Sequence, residues 1–178
     1  MERLNLNMKG LIVFLVSLIL LLSNLDKPII YILDEAKNAE CAREMLVNDD
    51  FIVPFFNGQL RTDKPPLHYF FMALSYKIFG VSAFSARFFS GVFGALTILI
   101  TFLFARRYIS EKAAWLAALV LLSSLHFNFQ MRLSVPDPYL IFFMTSSFMS
   151  FYVFMTEGAK KWLWLMYICF GLGLLTKG

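Results

Sequence analysis

The stretch Phe84-Ser85-Ala86-Arg87-Phe88-Phe89-Ser90-Gly91-Val92-Phe93-Gly94-Ala95-Leu96-Thr97-Ile98-Leu99-Ile100-Thr101-Phe102-Leu103-Phe104-Ala105, closed by Arg106-Arg107, decides the fold class. Its apolar and small residues outlast the roughly 20 that a helix needs to cross a hydrocarbon core about 30 Å thick. Comparable runs cover residues 10–25, 113–130, 138–155 and 162–176, the first and last being short with soft boundaries. Of 178 residues, 59% are hydrophobic and only 16% are charged. A soluble domain carries about 25% charge, so a water-soluble single-core domain, a disordered chain and a nucleic-acid binder are all excluded, despite a net charge of +4. The chain reads as an all-α integral membrane protein with about five spans.

A further apolar stretch, Leu67–Gly80, is shorter and contains His68 and Lys77, which suits an interfacial or re-entrant helix. Charge placement supports that choice. With five spans and the N-terminus inside, the inner segments hold Arg3 and Lys9, then Arg106, Arg107 and Lys112, then Lys160 and Lys161. The loop 26–66 holds eight acidic and five basic residues and falls outside. A sixth span would move Arg106-Arg107 outward, against the positive-inside rule. The expected location is a multi-pass protein of the inner (plasma) membrane, with membrane lipids as its surroundings. Trp115, Trp162 and Trp164 fall where the inner aromatic belt belongs. Gly91, Gly94 and Ala95, like Gly171 and Gly173, suit close helix packing or a partner-seeking face.

The N-terminal run lacks a clean cleavage site after Asn24-Leu25-Asp26-Lys27 and reads as an uncleaved span. Cys41 and Cys169 have neither disulfide-framework nor metal-ligand spacing. No phosphate-cradling glycine loop, zinc motif or Ser-His-Asp order is present, and His68 and His126 are weak signals. A transporter is set aside because no charge marks a midplane pathway.

Chemistry-bearing residues gather outside. Asp34 through Leu46 reads as an amphipathic helix, with Ala36, Ala39, Ala42, Met45 and Leu46 on one face and charges on the other. Asp34 stands where an N-cap belongs and Glu35 falls in the first turn, so both can be plain helix-start residues. Alternatively, Asp34 and Glu35 form a carboxylate pair at the membrane surface, and a partly buried carboxylate there can act as a base. Arg43 on the same helix is a further candidate. In Arg61-Thr62-Asp63-Lys64-Pro65-Pro66, the two prolines stiffen the chain and bias it away from helix. Asp63 and Lys64 are then either a polar helix stop, or a hard oxygen ligand and a point charge for phosphate. Asp137, between Pro136 and Pro138, can cap the helix that follows. Lys177 can be a snorkelling anchor. Topology nevertheless places Asp34, Asp63, Lys64, Asp137 and Lys177 at one membrane face.

The motifs "DEAKNAECAREML", "DFIVP", "DKPP", "VPDP" and "GLLTKG", in that order, resemble the N-terminal part of bacterial aminoarabinose transferases. The wider group comprises polyprenyl-phosphate-dependent glycosyltransferases of the GT-C fold, including protein O-mannosyltransferases. The resemblance covers nearly the whole chain. It implies an inverting membrane glycosyltransferase that takes aminoarabinose, mannose or another sugar from a polyprenyl-phosphate donor at the outer face, for a lipid A, glycolipid or protein acceptor. Asp34-Glu35 match the motif at the reaction centre. Lys64 matches the lysine that helps to hold the carrier phosphate, Lys177 supplies a second cation, and Asp137 matches the "DP" motif. The family implies a divalent metal ion at the Asp63 position, where many of its members have Glu, with its other ligand further downstream.

The resemblance also implies that such enzymes continue beyond "TKG". Residues 1–178 are therefore expected to form the N-terminal transmembrane domain, with 34–66 as the outer loop carrying the acidic motifs. The competing reading is a catalytically inactive membrane subunit or fragment that binds a polyprenyl lipid, a partner enzyme or a missing C-terminal part. By itself the chain is expected to transfer sugar poorly.

Overall fold

The computed structural model describes residues 6–30 and 33–177, so Arg3 and Gly178 lie outside the described residues. Helix α1 (Leu6–Leu22) leads to α2 (Leu33–Asn48), followed by the short strands β1 (Phe55–Phe56) and β2 (Gln59–Leu60). Then come α3 (Leu67–Phe79), α4 (Ala83–Tyr108), α5 (Glu111–Ser123), α6 (Leu125–Gln130), α7 (Asp137–Glu157) and α8 (Lys160–Leu174). The architecture of the described residues is all-α apart from that hairpin.

Helices α4 and α7 are long and apolar enough to cross a membrane, and Met8–Leu22 within α1 is a shorter apolar helix. Three elements correct the sequence reading. The run 113–130 is not one continuous helix. Ser124 takes an extended conformation and its side chain accepts from Phe127 N at 3.3 Å, ending α5 and starting α6. Asp34 lies inside the first turn of α2 rather than before it. Asp137 opens α7 without a side-chain capping bond.

Local chemistry sets the other boundaries. Ser82 and Ser85 form a reciprocal capping box at the start of α4. Ser110 caps α5 through Ala113 N at 3.1 Å. Gly158 ends α7 in the left-handed region, with φ 72°. Arg132 donates to Leu21 O at 3.3 Å and Leu20 O at 3.1 Å, satisfying carbonyls that the end of α1 leaves open.

Packing follows from residue size. Val13, Leu21, Ala95, Ile98, Phe102, Ala114, Ala118 and Met131 join α1, α4 and α5 into one core. Cys41, Ala42, Met45, Tyr69, Met72 and Tyr76 bind α2 to α3. Phe71 of α3 stacks on Tyr139 of α7 at 5.3 Å and packs edge-on to Phe93 of α4 at 5.0 Å. At 13 residues, α3 is about 20 Å long, too short for a span, and it lies between α2 and α4.

The opposite ends of the helices carry separate charge clusters. Lys9 pairs with Glu111 at 2.5 Å, and Glu157 receives Arg107 and Tyr108, both at 2.6 Å. These contacts gather the start of α1, the end of α4, the start of α5 and the end of α7. The other end gathers α2, α3, the start of α7 and the end of α8.

Gly91 and Gly94 form no partner-seeking face. A Cβ on Gly91 would meet Leu22 at 2.7 Å, and one on Gly94 would meet Met131 Cβ at 2.8 Å and Leu21 at 2.9 Å. Gly171 faces open space and Gly173 makes ordinary contacts. Gly94→Ala should therefore lower the thermal midpoint in detergent by an amount corresponding to about 1–3 kcal/mol. Gly171→Ala should leave it unchanged or slightly raised. Equal midpoints for the two variants would contradict the close approach of α1 to α4.

Candidate active site

The site is assembled from four segments that are distant in sequence. Leu67 N at the start of α3 donates to Leu175 O beyond α8 at 3.2 Å. Asn38 on α2 donates to Ser134 O in the connection before α7, also at 3.2 Å. These bonds draw the first turn of α2, the Pro65-Pro66 stretch, the entrance of α7 and the exit of α8 to one end of the molecule.

There Asp34 forms an ion pair with Lys64, and Asp137 pairs with Lys177 at 2.8 Å. Asp34 is half exposed, and its place in the first turn of α2 puts negative charge where the helix dipole favours it. Lys64, largely covered, is held by the two prolines that follow it. Four sequence candidates thus form two cation–carboxylate pairs at one end.

Arg61 was not among those candidates. It is 7% exposed, donates through Nε to Asp63 Oδ1 at 2.7 Å and through Nη1 to Cys41 Sγ at 3.4 Å, and brings Nη2 within 3.6 Å of Asp34 Oδ1. Its placement comes from the hairpin. Asn57-Gly58 turns with φ 52° and 72°, the signature of a two-residue type I′ turn. Glu44 of α2 accepts from Asn57 N at 2.7 Å, and Arg61 N donates to Pro54 O at 2.8 Å. The Asn-Gly pair was the available sequence signal. Arg61 holds the Asp63 carboxyl below its usual range, chiefly through their hydrogen bond. Lys37, Phe56, Gln59, Arg61, Thr62 and Asp63 line a cavity of about 290 Å³ beside this cluster.

Glu35 does something different from its neighbour. It is 1% exposed, and both its oxygens bind Arg87, Oε1 from Nε at 2.7 Å and Oε2 from Nη2 at 2.8 Å. Glu35 Oε1 also accepts from Ser134 N at 2.9 Å. Arg87 Nη1 donates to Leu25 O at 2.9 Å and Pro28 O at 2.7 Å, and Nη2 reaches Ile29 O at 3.2 Å. Both Glu35 oxygens are thus committed to Arg87 and Ser134, which ties this carboxylate to the frame around it. Arg87, in the first turns of α4, is the charge that the reading of residues 84–105 passed over; it lies near one end of the span, not at its middle. Arg43 pairs with Glu40 of its own helix at 2.7 Å.

The metal implied at Asp63 does not fit the residues present. Asp63 Oδ1 already accepts from Arg61, and among the described residues no group of three His, Cys, Asp or Glu side chains could hold a metal ion.

The pattern for dolichyl-phosphate-mannose-protein mannosyltransferases matches residues 11–178. The chain belongs to this family. Among relatives of this mannosyltransferase-family chain, a protein of Aquifex aeolicus is 36% identical over 171 residues, covering 96% of this chain and 34% of that protein. The undecaprenyl phosphate-alpha-4-amino-4-deoxy-L-arabinose arabinosyl transferase of Aeromonas hydrophila is 34% identical over 159 residues, covering 86% of this chain and 29% of that protein. The chain thus spans about a third of the length of these relatives. The crystal structure of ArnT from Cupriavidus metallidurans bound to undecaprenyl phosphate superposes with a TM-score of 0.88 at 24% identity, over 98% of this chain and 33% of that one. The fold is therefore that of a GT-C membrane glycosyltransferase, and this is a membrane protein.

One consequence is measurable. His68, in the first turn of α3, is fully buried, and its pKa is pushed down to about 3 by burial first and by Lys64 and Arg61 next. The unfolded chain binds a proton at this residue below about pH 6.5, whereas the folded chain resists it. The stabilisation is complete above that pH and is lost on acidification, at about 1.4 kcal/mol per unit. His68→Phe should flatten the fall in thermal midpoint between pH 7 and pH 5. An unchanged slope would place that pH dependence elsewhere.

Proposed function

We propose that this chain is the donor-handling part of a membrane glycosyltransferase that moves a sugar from a polyprenyl-phosphate carrier to an acceptor at the outer face of the inner membrane. The observation that carries the reading is the pair of ion pairs, Asp34–Lys64 and Asp137–Lys177, brought to one end of the helices. The opposite end carries Lys9, Arg106 and Arg107, as a cytoplasmic end should, which supports an outer-side site. The name of the Aeromonas relative and the undecaprenyl phosphate bound to the Cupriavidus protein support a polyprenyl-phosphate donor.

The chemistry follows from the residues. An acceptor oxygen attacks the anomeric carbon opposite the lipid phosphate, the C–O bond to that phosphate breaks, and its electron pair stays on the departing phosphate. Lys64 and Lys177 neutralise that charge in a partly dry setting. Lys64 is shared, because turning toward a phosphate releases Asp34 Oδ2. Arg61 still stands beside Asp34 Oδ1, at 3.6 Å. With a hydroxyl acceptor, Asp34 takes the proton as general base. With an ionised phosphate acceptor no proton moves, and Asp34 orients the nucleophile. Residues 34–66 form the outer loop of this N-terminal domain, and a lipid or protein supplies the acceptor.

Two readouts separate binding from chemistry. Lys64→Ala should weaken polyprenyl-phosphate binding about 10- to 100-fold, the range of a hydrogen bond to a charged group, as read by native mass spectrometry in detergent. Asp34→Asn should retain that binding, while transfer by the active assembly that contains the chain falls about 10²- to 10⁴-fold. Undiminished transfer by the Asp34→Asn form would reduce Asp34 to a helix-start residue.

A further inference from the structure

We propose that the guanidinium of Arg61, rather than a divalent metal ion, is the resident cation at Asp63, and that it positions the Asp63 and Asp34 carboxylates relative to each other. The inference rests on the reading of Asp34 as the reaction-centre carboxylate, but its metal readout does not require turnover. Arg61 is held at three points. Its backbone N–H is fixed to Pro54 O at 2.8 Å, Nη1 to Cys41 Sγ at 3.4 Å, and Nε to Asp63 Oδ1 at 2.7 Å. The remaining nitrogen, Nη2, completes no hydrogen bond and stands 3.6 Å from Asp34 Oδ1.

A planar fork with fixed donors can address two carboxylates at once, as a metal ion bridging them would do. Unlike a metal ion, it is covalently tethered and cannot be lost to a chelator. A divalent ion approaching Asp63 would find Oδ1 already used by Arg61 and would reach Oδ2 beside a permanent positive charge. Lys64, on the other side of Asp34, adds a second cation to that barrier. Hard cations such as Mn²⁺ and Mg²⁺ need several free oxygens, and Arg61 takes Asp63 Oδ1 out of that set.

The test is Mn²⁺ binding to the purified 178-residue chain in detergent, read from the electron paramagnetic resonance of free Mn²⁺. Wild type and Asp63→Ala should take up the same amount, because Asp63 contributes no metal site. Arg61→Met should gain a site at least tenfold tighter than any in wild type, and Asp63→Ala added to it should remove that site. Arg61→Gln, which keeps a donor near Asp63 without the charge, should show the same gain if the Met form does not fold. Stoichiometric uptake by wild type that Asp63→Ala abolishes would overturn the proposal. So would the absence of any gain in a folded charge-removed variant, since Arg61 would then not be what keeps a metal away.

Discussion

A carboxylate that is 1% exposed and a guanidinium that is 3% exposed are tolerable only when each satisfies the other, and Glu35 with Arg87 meets that demand in full. The five N–H groups of Arg87 make five bonds, two to Glu35 and three to the backbone between α1 and α2. Glu35 in turn accepts from Ser134, so α1, α2, α4 and the approach to α7 meet at one point. Taking two charges out of water is costly, and such a pair is weak evidence for net stability. It is strong evidence for geometry, because removing either partner strands a buried charge.

Asp34 follows from that geometry. It is the residue next to Glu35, and consecutive positions on a helix point about 100° apart. Anchoring Glu35 inward therefore turns Asp34 toward the surface, where Lys64 and Arg61 reach it. The hairpin supplies Arg61 and the diproline stretch supplies Lys64, each on a stiff piece of backbone. An acidic residue in the first turn of α2, two cations and an open polar cavity then lie together at one end of an apolar bundle. This suits the proposed lipid donor, whose tail belongs in the membrane and whose phosphate does not.

Much of this was legible in the residues. Apolar run lengths located α1, α4, α7 and α8, and the three- to four-residue spacing of Ala39, Ala42 and Met45 located α2. Charge asymmetry and motif order brought Asp34, Lys64, Asp137 and Lys177 to one end. The division of labour between Asp34 and Glu35 was not legible, because adjacent carboxylates look alike until a partner distinguishes them. That partner, Arg87, lies 52 positions away in a run that reads as apolar. Arg61 was hidden for the same reason: its partners come from α2 and from the turn two residues on. The break at Ser124 was missed because its capping bond leaves the hydrophobic run 113–130 unchanged.

The anchoring role of the ion pair is tested most directly by hydrogen exchange of the amides in residues 33–48, comparing wild type with Arg87→Met in the same detergent. Stranding Glu35 is expected to cost about 3–5 kcal/mol. Protection across α2 should therefore fall at least a hundredfold, while amides in the interior of α7 and α8 keep theirs. Unchanged protection of α2 in a folded Arg87→Met chain would contradict the view that this pair holds α2, and Asp34 with it, in place.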